Sequence, residues 1–126
     1  MRFVDEHDIT SAPADPGCFT AGVQTSTILP ALQPSGMRAN RFVYEPGARS
    51  HWHTHDGEQA IYVLAGRGVV HRAGEESGTV VGPGSWVHVE AGEMHWHGAM
   101  DDDVFVHLAI TASGATNWFD PVDAEQ

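Results

Sequence analysis

The chain has 126 residues, a formal net charge of −11 and six basic side chains, all of them arginine. A chain of this length can bury its own core, and we predict a single domain over residues 1–126. Such an acidic surface repels a phosphate backbone, which excludes nucleic acid as a partner, and the lack of lysine excludes Schiff-base chemistry.

Residues 1–20 are polar and rich in proline, and they predict extended arms with one or two edge strands. They contain no apolar h-region of the kind found in signal peptides, and no apolar run approaches the roughly 20 residues of a membrane span. The single cysteine, Cys18, cannot form an internal disulfide, which favours a reducing compartment. We therefore expect a cytoplasmic protein that does not bind membranes.

The middle of the chain consists of short runs rich in valine, isoleucine and aromatic residues, separated by glycine and proline. Such runs predict strands. They cover residues 41–45, 60–66, 68–72, 79–82, 85–89 and 104–110. Short strands at intervals of about ten residues are typical of an all-β sandwich or barrel.

Two features near the C-terminus carry their own predictions. Three consecutive aspartates at 101–103 predict a solvated turn before the last long strand, rather than a calcium site. Asp120 followed by Pro121 has the pattern of a helix N-cap and first helical position, and it predicts a short C-terminal helical turn.

Four of the nine histidines form two closely spaced pairs. His53 and His55 are two residues apart, so an extended strand would place both side chains on one face. Gln59 follows after a turn, and His95 and His97 repeat the two-residue spacing. A metal ion needs three or four nitrogen or oxygen donors that converge at about 2.0–2.3 Å. This spacing, in an acidic chain rich in histidine, predicts a metal site.

The segment from Gly47 to Gly66 resembles the first sequence motif of the cupin family. That motif runs glycine, five residues, His-x-His, three or four residues, glutamate, six residues, glycine. Its positions are filled here by Gly47, His53, His55, Gln59 and Gly66. The resemblance implies a cupin β-barrel, a jelly roll, in which the histidines and residue 59 bind a metal.

The second cupin motif is glycine, five residues, Pro-x-Gly, two residues, histidine, and the segment from Gly84 to His95 resembles it. Glu90 stands at the proline position, and Gly92 and His95 match. The two matches extend the resemblance over residues 36–112, which we take as the barrel core. They imply His95 as the remaining metal ligand.

Gln59 departs from the family pattern, in which a glutamate ligand is usual. A glutamine offers a neutral carbonyl oxygen, and histidine ligands are also neutral. The metal would then keep its full double charge, which strengthens it as a Lewis acid and favours a bound anion or oxyanion. Gln59 could alternatively hydrogen-bond a metal-bound water, leaving three histidine ligands.

A subgroup of small single-domain cupins carries a similar pattern around the glutamine, and it includes the bacterial cupin hydroxynitrile lyases. The resemblance implies a divalent metal, manganese(II) first, with iron(II), zinc and nickel also open. It implies an enzyme that acts on a small organic molecule in the manner of a hydroxynitrile lyase. Two alternatives stay open: a metal-dependent dioxygenase, and a cupin that binds or senses a small ligand without turnover.

Two further histidines are candidates for proton transfer. His97 shares strand parity with His95 and could face the same pocket. His107 lies in the strand over residues 104–110, where Phe105 and Ala109 share its face. It could act as a base in the metal cavity, or it could be a core histidine with its hydrogen bonds satisfied.

The remaining predictions concern the pocket walls and the assembly. Asn40 and Phe42 alternate along the strand before the first motif, on the face that lines the cavity in cupins. His51 and Trp96 are expected near the mouth of the pocket. Small barrels of this kind often pair through sheet faces or exchanged arms, so we expect a homodimer.

Overall fold

The computed structural model describes residues 1–123. Within this range a 3-10 turn at Glu6–Asp8 is followed by eleven strands. They are β1 Ser11–Pro13, β2 Val23–Leu29, β3 Arg38–Tyr44, β4 His53–His55, β5 Gln59–Gly66, β6 Gly68–Arg72, β7 Thr79–Val81, β8 Trp86–Val89, β9 His95–Ala99, β10 Phe105–Thr111 and β11 Thr116–Trp118.

The strands form two antiparallel sheets, with the order β1-β2-β3-β10-β5-β8 in one and β11-β4-β9-β6-β7 in the other. The chain crosses between the sheets repeatedly, so that several neighbouring strands, such as β10 and β5, are distant in sequence. Apolar side chains from both sheets pack between them, including Val23, Tyr44, Val63, Val81 and Phe105. The all-β jelly-roll prediction is confirmed.

Alternation along the strands decides which side chains reach the interior. In β10, Phe105, His107, Ala109 and Thr111 are buried, whereas the residues between them are partly or largely exposed. This is the period of two expected for a strand with one face on the core. His107 therefore lies inside, on the face shared with Phe105 and Ala109.

The glycines that bracket the first motif are required by the backbone. Gly47 and Gly66 have φ values of 78° and 72°, in the region that side chains disfavour. A Cβ atom on Gly66 would also lie 1.9 Å from the carbonyl oxygen of Val104. These glycines allow the chain to turn into β4 and out of β5, the strands that carry the first histidine pair and Gln59.

The predicted C-terminal helical turn is wrong within the described residues. β11 forms at Thr116–Trp118 instead and pairs with β4, and residues 119–123 carry no helix. Backbone hydrogen bonds extend this pairing beyond β11, from Phe119 N–H to the Trp52 carbonyl and from Trp52 N–H to the Asp120 carbonyl, and they hold Asp120 in an extended segment. Residues 124–126, where the predicted turn would have continued, lie outside the described residues.

Two smaller predictions concern the ends and the surface. The N-terminal arm contributes one edge strand, β1, which pairs with β2. The aspartates at 101–103 form a turn before β10. No helix among residues 1–123 is long and apolar enough to cross a membrane.

Candidate metal centre

The four side chains predicted as metal ligands meet between the two sheets. His53 and His55 come from β4, Gln59 begins β5, and His95 begins β9. All four are buried, with at most 5% of each residue exposed. His53 pairs directly with His95 across the β4–β9 ladder, and their ring centroids are 4.2 Å apart.

Backbone carbonyls fix the orientation of two of these imidazoles. His53 donates from Nδ1 to the carbonyl oxygen of His51 at 2.8 Å, and His95 donates from Nδ1 to the carbonyl oxygen of Glu93 at 2.9 Å. A carbonyl oxygen only accepts, so the ring proton must lie on Nδ1. Each Nε2 atom therefore presents a lone pair, as in protein metal sites whose second ring nitrogen is held by an outer partner.

Side chains from two distant strands hold the other two candidate ligands. His55 Nδ1 lies 3.0 Å from the Thr116 hydroxyl oxygen, which also accepts from Arg38 at 3.2 Å. The Gln59 amide donates from Nε2 to the Thr111 hydroxyl oxygen at 3.1 Å. Because Thr111 holds the amide nitrogen, the side-chain carbonyl oxygen of Gln59 is free to bind a cation.

Three buried acceptor atoms of this group have no hydrogen-bond partner among the described residues: His55 Nε2, His95 Nε2 and Gln59 Oε1. Buried polar atoms are rarely left unpaired in proteins, and each such case asks for an explanation. A cation bound among these lone pairs would satisfy all three. The donor set, neutral nitrogens with one amide oxygen, fits a divalent transition metal.

His97 adds a further nitrogen to this group. One ring nitrogen each of His53, His95 and His97 lie within 4.8 Å of one another, a set of described residues that does not include His55, and His97 is 3% exposed. Its position follows from strand parity with His95. The structure therefore places His97 where it could bind a metal or move a proton beside one.

A buried tyrosine joins His97 to His107. The Tyr44 hydroxyl lies 2.7 Å from His97 Nδ1 and 3.2 Å from His107 Nε2, and His107 Nδ1 lies 3.3 Å from the carbonyl oxygen of Leu108. Since that carbonyl only accepts, His107 donates from Nδ1 and accepts from Tyr44 at Nε2. Tyr44 then accepts from His97, which leaves His97 Nε2 without a proton.

Burial keeps this cluster of histidines uncharged. Removal from water lowers the pKa of His53 and His97 well below 6.5, and repulsion from neighbouring imidazoles lowers both further. Burial also lowers the pKa of His55 and of His107 to about 4 and lowers that of His95. Neutral imidazoles have free lone pairs, which is the state that a metal ligand or a proton acceptor needs.

A cavity of about 90 Å³ opens onto these side chains, and we call it the mouth cavity. Its residues are Phe19, Arg38, Asn40, Phe42, His53, His55, Gln59, His97, Ala109, Thr111, Thr116 and Trp118. Phe19 packs edge-on against Trp118, with ring centroids 5.3 Å apart, and stacks on Phe42 at 5.7 Å. The mouth cavity thus has a polar floor and an aromatic rim.

The structure brings some predicted pocket residues to this cavity and leaves others away from it. Asn40 and Phe42 line it. Trp96 does not, because it alternates with His95 and His97 along β9 and lies on the opposite face, where it packs against His71 and beneath Arg49. His51 also lies outside the lining and contributes its backbone carbonyl to His53.

Sequence reasoning missed several residues of the site. Tyr44 shares the alternation of Asn40 and Phe42 along β3, which was a usable signal. Thr116 and Trp118 lie in a strand that was not predicted, and Phe19 lies in a segment read as an extended arm. No local pattern connects these residues with the histidines.

Comparison with known proteins identifies similar chains. The sequence model of the cupin domain family matches residues 40–111 of this chain. The chain is 38% identical over 119 residues to an (R)-mandelonitrile lyase from the bacterium Granulicella tundricola, and the match covers 90% of this chain and 87% of the relative.

Solved structures share the fold. A cupin-like protein from Thermotoga maritima superposes with a TM-score of 0.87 at 29% identity, over 90% of this chain and 88% of that one. A polyketide cyclase from Streptomyces resistomycificus superposes with a TM-score of 0.79 at 19% identity, over 98% and 88% of the two chains, which is a likeness of fold alone.

Proposed function

The chain belongs to the cupin family, and we propose that it is a metal-dependent hydroxynitrile lyase that cleaves the cyanohydrin of a small aldehyde. The observation that carries this proposal is the set of three buried, unpaired acceptor atoms on His55, Gln59 and His95. The (R)-mandelonitrile lyase that the chain resembles over most of its length supports the reaction class.

We propose that His53, His55, Gln59 and His95 hold one divalent ion, with manganese(II) as the first candidate and iron(II), zinc(II) or nickel(II) as alternatives. When bound, such an ion supplies Lewis-acid stabilisation of an oxyanion or of cyanide. All four donors are neutral, so they do not offset the positive charge of the ion.

The protein's own groups would move the proton. His97 faces the mouth cavity with an unprotonated Nε2, so it can accept the proton of the cyanohydrin hydroxyl. The carbon–cyanide bond then breaks, the electron pair leaves with cyanide, and the proton passes to cyanide as the carbonyl forms. His107 acts through Tyr44, because its Nε2 is already engaged by the tyrosine hydroxyl.

The shape of the mouth cavity supports a small substrate with an apolar substituent. Its volume of about 90 Å³ limits the size of the molecule that fits without rearrangement. Phe19, Phe42 and Trp118 present aromatic faces and edges, which favour packing against an aromatic or branched aliphatic group. The floor, with His97 and the metal ligands, would face the hydroxyl and nitrile.

The first test is the metal content of the protein, purified without a histidine tag, by elemental analysis. We expect about one equivalent of a transition metal, retained in His88→Ala, an exposed histidine paired with Glu58, and lost in His55→Ala. Less than about a tenth of an equivalent in the unmodified protein would overturn the metal site.

The second test is release of cyanide and benzaldehyde from racemic mandelonitrile. We expect turnover that a chelator abolishes and that falls at least about 100-fold in His55→Ala but not in His88→Ala. If the metal-loaded protein releases no cyanide above the buffer rate, the lyase reaction is wrong. Oxygen consumption with an enolic substrate would then support a dioxygenase, and tight binding of a small acid without turnover would support a sensory cupin.

His97 needs its own variant because it could be a base or a ligand. With His97 as the proton acceptor, we expect His97→Ala to keep its metal and to lose at least about 100-fold in cyanide release. Loss of the metal together with activity would instead make His97 a ligand.

We also infer that the protein acts in the cytoplasm as a homodimer. The outer face of the six-stranded sheet exposes Val43, Leu64 and Ile110, which are 36–42% accessible, and this apolar surface supports pairing through the sheet face. Size-exclusion chromatography with light scattering checks this inference, and a monomer at micromolar concentration contradicts it.

A further inference from the structure

Tyr44 lies between two histidines, and only one of them reaches the mouth cavity. His97 lines that cavity, whereas Tyr44 and His107 are not among its lining residues. Tyr44 and His107 have no exposed surface. The Tyr44 ring stacks on the His107 ring at a centroid distance of 5.5 Å and meets the His97 ring edge-on at 5.9 Å. A molecule in the mouth cavity can therefore touch His97 but neither of the two side chains behind it.

The backbone sets the direction of the hydrogen bonds that join these three side chains. His107 Nδ1 lies 3.3 Å from the carbonyl oxygen of Leu108, so the opposite direction would place two acceptors against each other there. His107 Nε2 is therefore the acceptor, and the Tyr44 hydroxyl donates to it at 3.2 Å. The hydroxyl has a single proton, so its oxygen accepts from His97 Nδ1 at 2.7 Å.

The main chain of His97 is held on both sides by Ser50. The His97 N–H donates to the Ser50 hydroxyl oxygen at 3.1 Å, and the His97 carbonyl oxygen accepts from the Ser50 N–H at 2.9 Å. Ser50 itself has no exposed surface. Because the main chain is fixed, the ring keeps Nδ1 towards Tyr44, and the hydrogen bond at Nδ1 decides which ring nitrogen carries the proton.

We propose that Tyr44 and His107 are positioning residues that together fix the tautomer of His97. His107 orients the Tyr44 hydroxyl, and that hydroxyl keeps the proton of His97 on Nδ1, so that Nε2 faces the mouth cavity as an acceptor. The other tautomer would point an N–H into the cavity and could not take a proton from a substrate there. The inference concerns the site of the proposed lyase reaction and rests on that reaction only for its effect on turnover.

The tautomer of His97 can be measured without any turnover, from the ¹⁵N chemical shifts of its two ring nitrogens. Spectra are recorded on the zinc-loaded protein, in which the metal is diamagnetic, and on the metal-free protein. We expect a protonated Nδ1 and an unprotonated Nε2 in both samples. Tyr44→Phe keeps the buried ring and removes the hydroxyl, so we expect a proton on His97 Nε2 in part of the molecules.

Two variants of His107 have opposite expected results. In His107→Gln, the side-chain amide oxygen can reach the place of Nε2 and accept from Tyr44, so the tautomer of His97 should be kept. His107→Leu removes the acceptor, so the Tyr44 hydroxyl should turn to donate to His97 Nδ1, and the proton of His97 should move to Nε2. For cyanide release, kcat should fall at least about 100-fold in His107→Leu with KM unchanged, and it should be rescued in His107→Gln.

Tyr62→Phe is the matched control, because Tyr62 lies on the outer face of β5 and packs against Trp86 at a centroid distance of 4.4 Å. It should change neither the tautomer of His97 nor kcat. Since Tyr44→Phe keeps the buried ring, it tests the inference even if a His107 variant does not fold.

Four results would overturn the proposal. They are a protonated Nε2 in the unmodified protein, an unchanged His97 tautomer in Tyr44→Phe, the same tautomer in His107→Leu as in His107→Gln, and a tautomer that changes only after zinc is removed. If the tautomers follow the expected pattern but no cyanide is released, the hydrogen-bond inference stands and the lyase reaction alone is wrong.

Discussion

The interior of the barrel has two halves that lie between the same sheets but are stabilised differently. Around Phe105, the side chains are apolar and close-packed, with the aromatic ring against Tyr44 at a centroid distance of 5.5 Å. Around His53 and His95, the interior is a cluster of imidazoles, each held by a hydrogen bond from its outer nitrogen. Burial of apolar side chains stabilises the first half. In the second half, burial of unpaired ring nitrogens lowers the stability of the fold until a bound partner occupies their lone pairs. The contrast separates residues that keep the barrel folded from residues that give it chemistry.

The largest expected effect tests the apolar half. Phe105→Ala removes a fully buried ring, and we expect the free energy of unfolding to fall by about 3–5 kcal/mol. Val104→Ala, one position earlier and 46% exposed, should change it by less than about 0.5 kcal/mol. Urea denaturation followed by far-UV circular dichroism measures both. Equal losses in the two variants would remove the distinction between core and surface positions at the start of β10.

A second test follows from the burial of His107, which lowers its pKa from 6.5 to about 4. In the unfolded chain His107 binds a proton near pH 6.5, whereas in the folded chain it binds that proton only near pH 4. Stability is therefore complete above pH 6.5 and falls as the pH drops from 6.5 towards 4, by on the order of 3 kcal/mol for this residue.

Denaturation of the chelator-treated protein across this pH range measures the effect. His107→Gln should flatten part of the slope between pH 6.5 and pH 4, because one titrating group is removed. Val104→Ala removes no titrating group and serves as the control, with a slope like that of the unmodified protein. A slope that His107→Gln leaves unchanged would mean that the buried imidazole does not resist protonation.

The smallest expected effect tests the outer support of the histidine half. Thr116→Val removes the hydroxyl 3.0 Å from His55 Nδ1 while keeping the shape of the side chain. We expect metal affinity to fall about 10–100-fold, as it does when a ligand loses its outer hydrogen-bond partner, with little change in the stability of the metal-free protein.

The matched control is Thr54→Val, since Thr54 lies between the two histidines of β4 and its hydroxyl accepts from Asn117 instead. Its metal affinity should stay within a factor of about 3 of the unmodified protein. Competition with a metal-chelating dye measures both variants. Equal affinities in Thr116→Val and in the unmodified protein would show that His55 needs no support from β11.

Periodicity and motif spacing in the sequence predicted the barrel and predicted that its paired histidines meet at one site. Alternation placed His95, His97 and His107 inside, and the spacing between Gly47 and Gly66 placed His53, His55 and Gln59 on two consecutive strands, which lie in opposite sheets. The same alternation predicts that Trp96 lies on the opposite face of β9 from His95 and His97, away from the mouth cavity, and the structure has it there.

The remaining errors have a different origin. Thr116 supports His55 only because β11 pairs with β4, and Phe19 reaches Trp118 only because distant segments meet at the mouth. Thr116 and Trp118 favour a strand, but three residues are too short a run to predict one, and the adjacent Asp120-Pro121 pattern favours a helix. Contacts between distant segments are decided by the whole fold, which a local pattern does not contain.

The position of β10 has a consequence for how the protein is made. β10 lies between β3 and β5, although it follows both in the chain. During synthesis from the N-terminus, the edges of β3 and β5 that later pair with β10 stay unpaired until residues 105–111 have been made. Unpaired strand edges are sites where aggregation begins. β11, which carries Thr116, emerges later still. A nascent chain thus exposes two unpaired strand edges until β10 is made, although His53, His55, Gln59 and His95 have all been made by then.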